Sequence, residues 1–156
     1  MNRAHCLPAG VLLAAFTVQN IEESLYLPDW AQAQLPTVFS VTQARFALAT
    51  ALLTAVAALA TRLACHGKGR LPRLALALLA GALLANALSH IALSMFTRSL
   101  MPGALSGLLL QGPAAFWLLL QLKLTRPRIA LATALGFVLV PLVALPALAI
   151  AALILN

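Results

Sequence analysis

Charge is what this chain lacks. Of its 156 residues 8% are charged, and three of them are acidic. A soluble domain carries about a quarter charged residues, so there is too little polar surface here to face water on every side. No phosphate-binding glycine loop, haem motif or flavin fingerprint is present, and no serine or cysteine sits in a recognisable nucleophile motif, which disfavours covalent catalysis. What is abundant is apolar: 63% of the residues are hydrophobic and mean hydropathy is +1.00. Lipid is the natural solvent for such a chain, and the sequence reads as an integral membrane protein.

The net charge of +7 and a pI near 11.2 would suggest a nucleic-acid partner in a soluble protein. Here the basic residues cluster in short loops between apolar runs, which is a topology signal of membrane proteins, so the partner read from composition is the bilayer and not nucleic acid. Abundant Ala and Leu suggest a GC-rich bacterial gene and hence a multi-pass protein of the bacterial inner membrane.

Five apolar segments, Pro8–Leu27, Val38–Ala64, Arg73–Phe96, Ala104–Leu122 and Ile129–Leu155, predict a single all-α domain over 1–156, a bundle of five transmembrane helices. A spanning helix needs about 20 residues to cross roughly 30 Å of hydrocarbon. The first segment meets that length only if it continues through Glu22 and Glu23 to Leu27, where Pro28 is expected to end it. A cleaved signal peptide with Ala31-Gln32-Ala33 as its cut site is the weaker reading, because two glutamates and a tryptophan separate its apolar core from the cut. Pro72 suits the first turn of the third helix. Met101-Pro102-Gly103 reads as the turn into the fourth, and Gly112-Pro113, Pro141 and Pro146 as bends.

With the N-terminus in the cytoplasm, Arg3, Arg62, Lys68, Arg70, Arg73, Lys123, Arg126 and Arg128 fall inside, against Arg45 and Arg98 outside. The positive-inside rule selects this orientation. Cys6 and Cys65 then face the cytoplasm, where thiols stay reduced. The adjacent pair Cys65-His66 lacks the spacing of a zinc site.

Two of the three acids, Glu22 and Glu23, are adjacent within the first apolar run, and an intramembrane carboxylate is a functional-site hypothesis by default. At 1.5 Å per residue Glu23 lies about 6 Å and Gln19 about 12 Å below the outer helix end, while on the third helix His90 lies about 9 Å and Asn86 about 15 Å down. These groups occupy one layer of the outer half. Gln19, Glu22 and Glu23 share a helix face, as do Asn86 and His90. Arg45 enters the second helix from the same side, and Gln111 falls at a similar depth on the fourth. A shared interior pocket, with Glu22 or Glu23 ion-paired to Arg45, is the expected arrangement. One of the adjacent carboxylates is then left able to act as an acid, with His90 as proton shuttle or metal ligand. The plain alternative is that such polar residues only hold helices together, as His90 and Gln111 would in isolation, with Arg98 as a headgroup anchor. The glutamate pair favours function, since adhesion between helices does not require charge. Gly103 and Gly107 offer a small-xxx-small pattern, weak evidence for helix pairing in an Ala-rich chain, and nothing in the sequence supports a homo-oligomer.

These residues also carry a resemblance. Gln19-Asn20-Ile21-Glu22-Glu23, followed by Leu25-Tyr26-Leu27-Pro28-Asp29-Trp30, resembles the HXXEE domain, a membrane domain named for its motif. Asn86-Ala87-Leu88-Ser89-His90 resembles its Asn-x-x-x-His element. Arg98-Ser99-Leu100-Met101-Pro102-Gly103 resembles its Arg-x-x-x-Pro-Gly element, with Ser106 where a small hydroxyl residue is usual. One position departs: Gln19 stands where the motif has histidine. The family is described as of unknown function, and a membrane-embedded enzyme has been proposed for it. By residue type, the motif's histidine and glutamates plus a second histidine resemble a divalent-metal site. In this chain the metal ligands implied are Glu22, Glu23 and His90, weakened by Gln19, whose neutral carbonyl is a poor substitute for imidazole.

Three functions follow as expectations. The first is a membrane enzyme acting on a lipid-phase small molecule near the outer face. In it Glu22 or Glu23 is base or metal ligand, His90 is acid or second ligand, Arg45 or Arg98 is an anion clamp, and Gln19, Asn86 and Gln111 bind substrate. The second is a small-solute or proton-coupled transporter or receptor, disfavoured by the apolar inner half. The third is a structural membrane subunit.

Overall fold

Runs of Ala and Leu, both strong helix formers, interrupted by short Pro- and Gly-containing turns, give a chain whose described secondary structure is all helical. The computed structural model describes residues 5–36 and 41–155. Its five helices are α1 (Cys6–Gln34), α2 (Gln43–His66), α3 (Arg70–Thr97), α4 (Ala104–Gln121) and α5 (Arg126–Ile154). Arg3 and the expected start of the second helix at Val38 lie outside the described residues. Helices α2 to α5 are long and apolar enough to cross a membrane. α1, at 29 residues and about 44 Å, has the length but not the composition, because Gln19, Asn20, Glu22 and Glu23 interrupt its apolar run.

The exposed surface is that of a membrane protein. Leu131, Phe137, Val138, Leu142, Leu145 and Leu153 of α5 are all at least half exposed. Apolar surface on this scale calls for lipid as its solvent.

Several ends differ from the sequence expectation. α1 does not stop before Pro28 but continues to Gln34, with Pro28 itself buried. Proline costs the helix one backbone hydrogen bond, and here neighbouring contacts compensate. Leu27 and Ala31 are buried on either side, and the Trp30 indole donates to Ser99 Oγ at 3.0 Å. α3 begins at Arg70, with Pro72 in its first turn. In α4 the disturbance at Gly112-Pro113 is a π-helical turn over Gly107–Gln111, in which the Gly112 N–H donates to the Gly107 carbonyl. A wide turn of this kind absorbs the missing donor of Pro113 without a break. Pro141 and Pro146 lie inside a continuous α5.

Two features hold the bundle. At the basic end Leu12, Leu76, Leu118, Leu119 and Leu122 are fully buried together, and the Arg73 guanidinium donates to the Leu122 carbonyl. Midway, α3 and α5 meet through glycine: a Cβ on Gly81 would collide with the Ala132 carbonyl, and one on Gly136 would stand 2.5 Å from the Gly81 carbonyl. Close backbone approach through small residues is how lipid-immersed helices gain packing.

Candidate functional site

The opposite end of the bundle from Leu122 carries the polar groups. One helical turn separates Gln19 from Glu23, so their side chains lie on one face. Gln19 Nε2 donates to Glu23 Oε1 at 2.7 Å. His90, one turn from Asn86 on α3, brings Nε2 to 3.2 Å from the same Glu23 oxygen. All three are buried: Gln19 is 0%, His90 4% and Glu23 7% exposed.

The other imidazole nitrogen meets the loop before α4. His90 Nδ1 lies 2.9 Å from the Pro102 carbonyl. A carbonyl oxygen only accepts, so Nδ1 carries a hydrogen and donates it. Nε2 is thereby aimed at Glu23 Oε1.

Glu22 is engaged separately. Its Oε1 accepts from the Gly103 N–H at 2.9 Å and its Oε2 from Ser106 Oγ at 2.6 Å. The helix face expected to be common to Gln19, Glu22 and Glu23 is therefore split: Glu23 faces α3, and Glu22 clasps the loop leading into α4. That loop needs a glycine. Gly103 has φ +86°, a left-handed conformation, and a Cβ there would stand 2.9 Å from both Glu23 Oε1 and His90 Nδ1. Ser94 secures the approach to the loop, donating to the His90 carbonyl at 2.8 Å while its Oγ accepts the Met101 N–H at 2.9 Å.

Beside the pair lies a cavity of about 450 Å³ between α1, α2, α3 and α5. Glu23, His90, Asn20 and Asn86 give it polar groups, while Phe46, Leu53, Leu79, Leu83 and Val143 are among its mainly apolar walls. Asn20 donates to Thr54 Oγ1 at 2.8 Å and so ties α1 to α2 across the cavity margin.

The remaining expected site residues fall elsewhere. The ion-paired partner of Glu23 is His90, not Arg45. Arg45 lies half-buried in the first turn of α2, where its N–H donates to Thr42 Oγ1. Arg98 is exposed and ends α3 in a left-handed conformation, φ +53°. Gln111 is fully buried on α4, and its Nε2 donates to the Leu83 carbonyl at 2.7 Å, a tie between helices. The Gly103 N–H and the Pro102 carbonyl escaped sequence reading because backbone groups have no letter; the only signal was the Pro-Gly pair itself. Thr50 and Thr54, one turn apart on α2, were a visible but unused sign of a polar partner for Asn20.

The donor set does not fit a metal. Both oxygens of Glu22 are occupied by hydrogen-bond donors, and among the described residues no three His, Cys, Asp or Glu side chains converge to hold an ion. Glu22, Glu23 and His90 thus do not assemble as the three expected ligands. At the far end, Cys6 Sγ contacts the Cys65 carbonyl at 3.8 Å, and His66 Nδ1 turns back to the Arg62 carbonyl at 2.8 Å.

Residues 11–118 match the family model described as "Protein of unknown function with HXXEE motif". No curated protein and no solved structure matches the chain.

Proposed function

The chain belongs to the HXXEE family, and from that premise we propose that it is a membrane enzyme whose Glu23–His90 pair performs acid–base chemistry on a molecule drawn from the lipid phase. The observation that carries this reading is the pair's position: a buried carboxylate and imidazole 3.2 Å apart on the wall of a 450 Å³, mainly apolar cavity. Cavities of that size accept small organic ligands. A shared proton between two positioned groups lets one accept and the other return a proton within a single turnover.

The placement in the membrane follows the same logic. α1 serves as the fifth span, since Gln19, Asn20 and Glu23 are turned inward and buried. Arg62, Lys68, Arg70 and Arg73 flank the α2–α3 turn, and Lys123, Arg126 and Arg128 the α4–α5 turn. Both turns are at one end of the bundle, which by the positive-inside rule is cytoplasmic. The Glu23–His90 site then faces the extracytoplasmic side of a bacterial inner membrane. A transport role finds less support, because Leu12, Leu76, Leu118, Leu119 and Leu122 fill the core at the basic end.

The test is a comparison of lipid and small-molecule profiles of bacterial cells expressing the native chain, Glu23→Gln or His90→Asn. A species made or consumed only with the native chain supports the reading. Identical profiles from all three, at equal membrane abundance, overturn it.

A further inference from the structure

The cavity's walls say more about what it holds than that it is apolar. Asn86 lines the cavity, half-buried, and its carboxamide makes no hydrogen bond among the described residues. Only its backbone carbonyl is used, accepting from Ser89 Oγ at 2.7 Å. Glu23 also lines the cavity. Its Oε1 is held by Gln19 and His90, while its Oε2 accepts no hydrogen bond among the described residues. A carboxamide and a carboxylate oxygen left open toward an apolar space are costly unless something polar meets them. One terminus of the occupant must therefore both donate and accept.

The charge of that terminus follows from what surrounds it. Among the described residues no lysine or arginine lines the cavity, and the carboxylate on its wall is paired with His90. A phosphate or carboxylate head would place a second anion beside Glu23 with no cation to meet it. A hydroxyl suits both kinds of open group, since it donates to a carboxylate oxygen and accepts from a carboxamide N–H.

Size bounds the rest. If each heavy atom takes the ~30 Å³ share of a liquid water, the cavity of about 450 Å³ accommodates on the order of fifteen non-hydrogen atoms. Beyond the polar groups, its walls run along Phe46, Leu53, Leu79 and Val143.

We propose that the cavity between α1, α2, α3 and α5 binds a neutral single-chain amphiphile, a long-chain or isoprenoid alcohol, with its hydroxyl between Glu23 and Asn86 and its tail along α2 and α5. The proposal rests on the functional reading above for the role of Glu23, and it is tested by binding, not turnover.

The full chain is reconstituted in nanodiscs with hexadecanol carrying a diazirine in its tail, or with the matching hexadecanoic acid at mildly alkaline pH. Cross-linked residues are mapped by mass spectrometry. The alcohol probe is expected to label α2 and α5 around Leu53 and Val143, to be competed by unlabelled hexadecanol, and to label roughly tenfold more than the ionised acid. Asn86→Leu should lower this labelling roughly fivefold by removing one hydrogen-bonding partner. Val143→Trp, which fills the tail region, should abolish it. Equal labelling by the acid, labelling confined to other faces, or indifference to both substitutions overturns the proposal. Labelling as described without any Glu23-dependent product would sink the enzymatic reading and leave this one standing. A Glu23-dependent product without alcohol labelling would do the reverse.

Discussion

The Gly103 N–H donates to Glu22 Oε1 at 2.9 Å across a sequence separation of 81 residues. The same glycine, at φ +86°, leaves no room for a side chain beside Glu23 and His90. One backbone position thus joins the two glutamates' separate environments. Gly103→Ala is expected to cost about 1–2 kcal/mol for the left-handed conformation alone, and to displace His90 or Glu23 as well. Thermal unfolding in detergent should show a lower midpoint, and any Glu23-dependent turnover should fall further than stability does. A variant with native stability and turnover would contradict the contact.

The adjacent glutamates should separate under substitution. Glu22 accepts from two donors, so Glu22→Gln turns an amide NH₂ toward Gly103 or Ser106 and should destabilise by about 1–3 kcal/mol. Ser106→Ala should reproduce part of that loss. Glu23→Gln keeps shape and packing, and is expected to abolish turnover with a much smaller change in unfolding midpoint. Equal stability losses in the two variants would deny this division.

Glu23 and His90 should also act as a unit. If one proton is shared between them, removing either group removes the exchange, so Glu23→Gln, His90→Asn and the double variant should be about equally inactive. Multiplicative losses in the double variant would show that each works alone.

Much of this site was legible in the sequence because membrane depth makes polarity conspicuous. Glu23, His90 and Gln19 stand out in apolar runs, and a rise of 1.5 Å per residue puts them in one layer. The all-helical bundle followed from the same runs. What could not be read were relationships carried by backbone. The Pro102 carbonyl holds His90 Nδ1 and the Gly103 N–H captures Glu22, so the expected Arg45 pair gave way to His90 for Glu23 and to a backbone N–H and a hydroxyl for Glu22. Pro28 failed as a stop signal because burial of Leu27 and Ala31, and the Trp30–Ser99 contact, outweigh one missing backbone bond. Gly107 does approach α3, a Cβ there standing 3.4 Å from Ala87 Cα, but the tighter contact is that of Gly81 and Gly136, a pairing between distant helices that local spacing does not encode.

That glycine contact is testable without any substrate. A Cβ at Gly136 would stand 2.5 Å from the Gly81 carbonyl and 2.7 Å from Ala82 Cα, both backbone atoms that cannot turn aside. Gly136→Ala should therefore lower stability by about 1–3 kcal/mol through forced separation of α3 and α5. Gly10, also helical, has nothing within 4 Å of its notional Cβ. Gly10→Ala is the matched control, expected to leave stability unchanged or raise it by up to about 1 kcal/mol. Equal behaviour of the two variants would show that α3 and α5 do not meet at these glycines.

Gln19 permits a sharper test of what the motif position does. Its Nε2 lies 2.7 Å from Glu23 Oε1, and His90 Nε2 lies 3.2 Å from that same oxygen. Ligand atoms around tetrahedral zinc, at bonds of about 2.0–2.1 Å, stand roughly 3.3 Å apart, so the Gln19 and His90 nitrogens each lie near ligand spacing from the shared Glu23 oxygen. What the native chain offers at position 19 is a neutral carboxamide, a poor ligand for zinc beside imidazole. His90 is prepared for the role, since a ligating histidine characteristically donates its other N–H to a backbone carbonyl or carboxylate, as His90 does to Pro102. Gln19→His is therefore expected to create a zinc site with Glu23 and His90, leaving Glu22 on Gly103 and Ser106. Elemental mass spectrometry of purified protein should find stoichiometric zinc in Gln19→His, little in the native chain, and none once His90→Ala is added. Zinc that survives His90→Ala would place the ion elsewhere, and its absence from Gln19→His would mean that Glu23 and His90 are not arranged around a common point.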